Sequence, residues 1–252
     1  MQSSQMDVVT SRLNNLNEFF ALSDEFEPTH EYAVAWIDCT TIGQGVFMAA
    51  NHAPSGELKL NLRKKISVPI TPPFSLMNRL SLKLLNTAYY RKHPVQRTHH
   101  QTSYEPYFYP LDAVLNWNRI YGTNGFQQFQ CVIPNAVAHD AIVEILRVIA
   151  QTGMGSFLAV LKRCGDFPAA GLLSFPMAGV SLALDFAHNE RLPALLQKLD
   201  AIVHQAHGRL YPAKDAHMSA AHFQNAYQNW PQLEALRDPV LNSRFWQRVT
   251  SS

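Results

Sequence analysis

The chain has 252 residues, 47% hydrophobic and 16% charged, with a formal net charge of +2. This composition excludes intrinsic disorder and supports a sizeable core in one large domain or two modest ones. The charge is too small to argue for nucleic acid or an anionic membrane surface, and no run approaches the roughly 18 apolar residues of a membrane span.

The three cysteines, Cys39, Cys131 and Cys164, are far apart and form no CxxC pair. Neither a zinc site nor a disulfide framework is expected, and buried thiols in a reducing compartment fit better. The opening residues MQSSQMDVVTSRLNN lack the basic and apolar regions of a signal peptide, so a cytoplasmic location is the expectation.

In chain order, Val8, Val9, Leu13, Leu16, Phe19 and Phe20 predict a short amphipathic helix over residues 7–22. Asp24, Glu25 and Glu27 read as an acidic connector. His30 to Asp38 and Gln44 to Ala50 read as paired strands, followed by a turn-rich loop from Asn51 to Gly56. Prolines make residues 68–73 extended. Ser75 is a candidate cap for a helix whose apolar stripe is Leu76, Leu80, Leu84 and Leu85. Residues 91–100 form a basic segment that reads either as a solvated loop or as a phosphate clamp. Tyr104 to Tyr109 reads as extended, and Pro110 to Asp112 as a turn.

A regular pattern then begins. Strands are predicted over Phe126–Ile133, Phe157–Cys164, Val180–Phe186 and Arg209–Tyr211. One helix, capped by Asn135, buries Ala138, Ile142, Ile145 and Ile149 and stops at Gly153. A second starts near Asn189, tolerates Pro193 in its first turn and stops at Gly208. The succession strand, helix, strand, strand, helix, strand predicts an α+β fold. Its core is a ferredoxin-like split βαβ unit over residues 125–212, an antiparallel sheet with helices on one face. A helical tail follows, with Ser219 as a cap and a stop at Asp238-Pro239.

Alternation sorts the strand side chains. Val180, Leu182, Leu184 and Phe186 share the core face, whereas Ser181, Ala183 and Asp185 share the other. Gln128 and Gln130 lie together on one face of their strand, and Lys162 shares a side with Leu158, Val160 and Cys164, where it either snorkels to the sheet end or faces a pocket. Each alone reads as structural; with Tyr211 and Lys214 they would line one polar pocket on the open face. The stretch Gly208 to His217 adds Asp215 and His217 to that phenol and ammonium, and reads either as a functional cluster or as a solvated edge. No GxGxxG, P-loop, GxSxG or HExxH occurs. His204 and His207 stand at i,i+3 spacing without an evident third ligand, so no metal site is expected.

Several segments occur in one order. They are His30-Glu-Tyr-Ala-Val-Ala-Trp36, Tyr109-Pro-Leu-Asp112, Trp117-Asn-Arg119, Tyr121-Gly122 and Phe129-Gln-Cys-Val-Ile-Pro134. Ser156 to Lys162, Leu173-Ser-Phe-Pro176, Asp185-Phe186 and Gly208 to Asp215 continue the series. Together they resemble the substrate-binding half of FAD-linked oxidases of the vanillyl-alcohol oxidase superfamily. Within it they are similar to the decaprenylphosphoryl-ribose 2-oxidase family, with aldonolactone oxidases as more distant relatives.

The resemblance implies oxidation of a secondary alcohol on a sugar or sugar phosphate, with a hydride passing to FAD. It places the family's catalytic lysine on Lys214, beside the flavin and the substrate, and its tyrosine on Tyr211. The family's pocket glutamine and lysine fall on Gln130 and Lys162. The chain departs from the family at Ala183, where the family has cysteine, at Ser181, where it has asparagine, and at Tyr109, where it has histidine. The pocket floor therefore differs, and the resemblance does not fix the identity of the substrate.

The resemblance also implies a division of the chain. Residues 1–207 would be the substrate-binding cap domain, and residues 208–252 the returning segment of a FAD-binding domain. The family's N-terminal half, with its glycine-rich pyrophosphate loop, has no counterpart in these residues. The expectation is that this chain alone holds FAD weakly or not at all. A flavin-binding domain would then be needed in cis or in trans, whether the chain is a fragment, a truncated product or half of a split enzyme. The alternatives are an aldonolactone-oxidase-like enzyme and a non-catalytic ferredoxin-like remnant.

Overall fold

A computed structural model describes residues 3–58 and 65–251. The chain opens on strand β1 (Gln5–Leu13), and the first helix, α1 (Leu16–Phe26), begins only after it. The helix predicted from residue 7 is therefore half strand. Val9 and Leu13 enter the main core, while Met6 and Val8 pack in a second cluster on the opposite face. Burial on both faces erases the alternation by which a strand is usually recognised. Asn15 caps α1, its side chain accepting from the Glu18 amide at 3.2 Å. The acidic residues extend and follow this helix, where Asp24 and Glu27 pair with Arg163 and Glu25 pairs with Arg97.

β2 (Tyr32–Ile37) and β3 (Gly45–His52) form the expected antiparallel pair. After the short β4 (Ile66–Ser67), α2 (Arg79–Lys92) is capped by Asn78, not Ser75. Asn78 Oδ1 accepts from the Leu80 and Ser81 amides, and the Ser81 hydroxyl accepts from the Asn78 amide. The leucine stripe predicted to be buried faces outward: Leu76, Leu80, Leu84 and Leu85 are exposed, and the buried side chains are Leu82 and Asn86. Asn86 Nδ2 donates to Asp38 at 2.7 Å, and the Tyr89 ring meets Trp36 edge-on at 4.7 Å.

The basic segment is not a loop throughout: its first two residues end α2 and its last three open a strand. β5 (Thr98–Ser103) pairs antiparallel with β1 at the sheet edge. α3 (Tyr104–Phe108) is helical where extended chain is predicted, and its Tyr107 packs with Met6, Val8 and Ala50. Aromatic residues favour strands in general, but Pro106 in the first turn suits a helix start. β6 (Val114–Leu115) pairs in parallel with β4.

β7 (Phe126–Pro134), α4 (Asn135–Thr152), β8 (Ala159–Cys164), β9 (Gly179–Ala187), α5 (Leu192–Gln205) and β10 (Arg209–Leu210) follow in the predicted order. Pro134 takes the cap position of α4, with Asn135 as its first helical residue, and Gly153 ends it at a left-handed φ of 69°. One sheet runs β10-β7-β9-β8-β2-β3-β1-β5, every neighbour antiparallel. Its first four strands stand in the ferredoxin-like order, with β7 between β10 and β9. Ala138, Ile142, Ile145, Ile149, Leu195, Leu199 and Val203 from α4 and α5 pack with Val180, Leu182, Leu184 and Phe186, and α1 extends the same core. Gly208 must be glycine, because a Cβ there would lie 2.7 Å from the Val132 carbonyl oxygen and 2.9 Å from Val203 Cγ1.

The tail contains α6 (Ala220–Ala226), capped as predicted by Ser219, then α7 (Trp230–Leu236) and α8 (Arg244–Thr250). Met218, Phe223, Tyr227, Trp246 and Val249 belong to the main core. Phe223 is fully buried among Tyr227, Phe245 and Trp246. Phe223→Ala is expected to cost about 3–5 kcal/mol. In urea, tryptophan fluorescence and circular dichroism should report one shared transition at a lower midpoint. A separate early melting of the tail would contradict a common core.

Candidate functional site

Cross-strand register assembles the open face of the ferredoxin-like half. Gln128 stands opposite Asp185, and Gln130 opposite Ala183. On the other side of β9, Val160 pairs with Ala183 and Lys162 with Ser181. Trp36 of β2 pairs with Val160, so one row runs Trp36, Val160, Ala183, Gln130. Gln130 and Lys162 lie two strand spacings apart and two residues out of line, roughly 12 Å between their backbones.

Direct bonds join several of these groups. Gln130 Nε2 donates to Ser181 Oγ at 3.3 Å, and Gln128 Nε2 donates to Asp185 Oδ1 at 2.9 Å. The Tyr211 amide donates to the Gln130 carbonyl at 2.8 Å, which continues the β10–β7 ladder by one residue. The following turn, Pro212–Lys214, brings Tyr211 and Lys214 beside Gln128 and Gln130 around a cavity of about 10 Å³. That is the lower limit for one water. The Tyr211 ring packs on Phe175 with centroids 4.7 Å apart. Lys162 is exposed, whereas Ser181 and Asp185 are buried. Larger concavities, of about 490 Å³ and 300 Å³, lie beside β5 and beside Tyr104–Ala113 and contain none of these residues. The convergence of polar groups, not volume, marks the site.

Asp185 is the electrostatic centre. Burial pushes its carboxyl above the ordinary carboxylate range, opposed by the Gln128 hydrogen bond and the Lys214 ammonium. Its amide donates to Ser156 Oγ at 3.0 Å, and its Oδ2 is buried without a partner. Tyr121 also ends in a buried, unpartnered hydroxyl, its ring stacked on Phe126 at 4.6 Å. Burial drives that phenol well above its usual range, with Asp185 adding to the shift. Tyr121 has no place among the residues picked out by strand alternation, because it sits in an irregular turn; its sequence signal is the Tyr121-Gly122 pair.

Asp215 and His217 line the same small cavity as Tyr211 and Lys214. Asp215 also accepts from the amides of His217 and Met218 and pairs with Arg248. His217 Nδ1 binds Asp200 at 2.7 Å, and its ring lies parallel to Phe129. These two residues fasten the tail. Arg97, in the basic segment, is likewise engaged with Glu25 and lies over the Phe26 ring.

Burial raises the thiols of Cys39 and Cys131 to about 12, which makes them poor nucleophiles. Among the described residues no group of three or more His, Cys, Asp or Glu is disposed to hold a metal. His204 meets His222 ring to ring at 5.0 Å. No helix among the described residues is long and apolar enough to cross a membrane.

No protein-family model matches the chain. A decaprenylphosphoryl-beta-D-ribose oxidase of Mycolicibacterium smegmatis is 30% identical over 242 residues, covering 89% of this chain and 52% of that protein. The resemblance to the ribose-oxidase family holds. It extends over most of this chain, which spans about half the length of that relative and is consistent with the C-terminal part of such an oxidase.

The buried Asp185 carboxyl yields a test. Its raised value means that the folded protein keeps this proton to higher pH than the unfolded chain does. Stability contributed here is therefore lost as pH rises from the ordinary carboxylate range through the raised folded value. Asp185→Asn removes that loss. Urea midpoints should move in the variant's favour relative to wild type between acidic and neutral pH. A constant difference across that range would show that Asp185 titrates normally.

Proposed function

We propose that the chain is the substrate-binding part of an FAD-dependent oxidoreductase that oxidises a secondary alcohol of a sugar or sugar phosphate. The observation that carries this reading is the convergence of Lys214, Tyr211, Gln128, Gln130 and Asp185 on one polar face. The similarity to a protein named as a ribose oxidase supports it.

The residues suit a flavin and a sugar. Lys214 has no carboxylate in hydrogen-bonding contact among the described residues, so its ammonium is available to an electron-rich ring edge or a substrate oxygen. FAD, when bound, would supply the two-electron acceptor for the alcohol's hydride. Lys214 would hold the pyrimidine side of the flavin and offset the negative charge that develops there. Gln130 and Lys162 would orient hydroxyls or a phosphate of the substrate. Tyr211, braced by Phe175, would wall the site beside Lys214. Ser181 and Ala183 form a small, mostly neutral floor, which leaves room for a substituent on the sugar.

In this reading residues 1–207 form the substrate-binding domain. Residues 208–252, which pack into the same core, would also complete a flavin-binding domain whose remainder acts in cis or in trans. The test is co-expression of the chain with a candidate flavin-binding domain, followed by anaerobic titration with sugar alcohols and sugar phosphates. A yellow complex should form and bleach with a suitable substrate. Lys214→Ala should slow bleaching about 10²–10³-fold, the scale of losing one preorganised charge-stabilising donor. If a yellow complex forms but no sugar alcohol reduces it, and Lys214→Ala changes nothing, the chain is a binding module without this chemistry.

A further inference from the structure

We propose that α2 and the stretch leading into it form a docking element for an anionic membrane surface. Its occupant is a lipid bilayer face carrying acidic headgroups.

The first observation is the orientation of the helix. Leu80 is 68% and Leu84 63% exposed, one turn apart, while Leu82 and Asn86 face the protein. At 100° per residue Leu82 lies about 200° from Leu80, so the leucines follow the outermost line of the helix. Leu85 and Leu76 are also exposed, and the preceding segment adds Ile70 and Phe74, 73% and 67% exposed. Large exposed apolar side chains gathered along one helix face mark an interaction site.

The second observation selects the occupant. α2 carries Arg79, Lys83, Arg91 and Lys92 and no acidic residue. All four are exposed, and among the described residues no carboxylate pairs with them. The whole chain nets only +2, so the charge on α2 is local and the remainder of the chain is net acidic. Leucines on the outer line with lysine and arginine on the flanks and ends are the arrangement of a helix lying in a headgroup layer. The apolar side chains enter the acyl boundary while the long cationic stems reach back to phosphates. Fourteen residues are too short to cross a bilayer, so the helix lies on the surface. Its attachment through Asn86–Asp38 and Tyr89–Trp36 holds the outer line in place without lipid.

The experiment is vesicle flotation of the full chain. Vesicles of phosphatidylcholine with about one-third phosphatidylglycerol should carry the protein, pure phosphatidylcholine much less, and high salt should release it. Leu80→Glu with Leu84→Glu should weaken partitioning at least tenfold, and Lys83→Glu with Arg91→Glu should abolish the phosphatidylglycerol preference. Circular dichroism checks that the variants fold, and Leu84→Gln gives a milder version of the same loss. The proposal is overturned if wild type stays unbound, or if variants and wild type partition alike. It is equally overturned if the leucine variants change only the mass of the chain in solution, since the patch would then be a protein–protein surface.

Discussion

Everything near the candidate site depends on the register of β9. This strand is paired along its length by β7 on one side and β8 on the other. Its odd positions are occupied by Ser181, Ala183 and Asp185, and its even positions by Val180, Leu182, Leu184 and Phe186. A slip of one residue would drive Asp185 into the apolar layer under α4 and α5 and turn four large side chains to the open face. The cost of burying that carboxyl among leucines, added to the lost apolar burial, makes the observed register far more favourable than its neighbours. The same alternation that builds the core thus determines which groups face outward to meet a ligand.

The two faces of the eight-stranded sheet are treated differently. α1, α4, α5 and part of the tail share one continuous core on one side. On the other side, α2 and α3 rest against the strands of the first half, through Tyr89 on Trp36 and Tyr107 on Met6, Val8 and Ala50. The β7, β9 and β8 surface is left to glutamines, a serine, an aspartate and a lysine. Covering half of a face lets a chain keep a stable sheet while leaving one region polar, which a two-layer fold covered throughout would not permit.

Where local pattern and tertiary environment agree, the fold is legible in the residues. Ile142, Ile145 and Ile149 repeat with the helix, Leu182 and Leu184 alternate with the strand, and Gly153 and Gly208 punctuate both. The face shared by Ser181, Ala183 and Asp185 follows from the same parity, which sets them against Gln128, Gln130 and Lys162 across the sheet. The failures have equally physical causes. Val8 and Val9 are both buried because β1 is covered on each face, so no alternation survives. Leu80 and Leu84 look like a core stripe because periodicity reports amphipathicity but not which side meets the protein. Asp215 and His217 sit next to Lys214 in the chain and line the same cavity, yet their side chains are also engaged with Arg248 and Asp200, partners that lie far off in sequence. Tyr121 was hidden because turns carry no periodicity from which to infer burial.

The anchoring of the Lys214 turn has a kinetic and entropic consequence. Upstream, the Tyr211 amide is tied to Gln130; downstream, Asp215 is locked by two amides and Arg248. Only Pro212, Ala213 and Lys214 lie between these fixed points, and proline already restricts one of them. The conformational freedom of that backbone is surrendered when the protein folds, not when a ligand arrives. An ammonium held in this way meets its ligand already aimed, so tail mutations far from the open face should act on it as mechanical changes in aim.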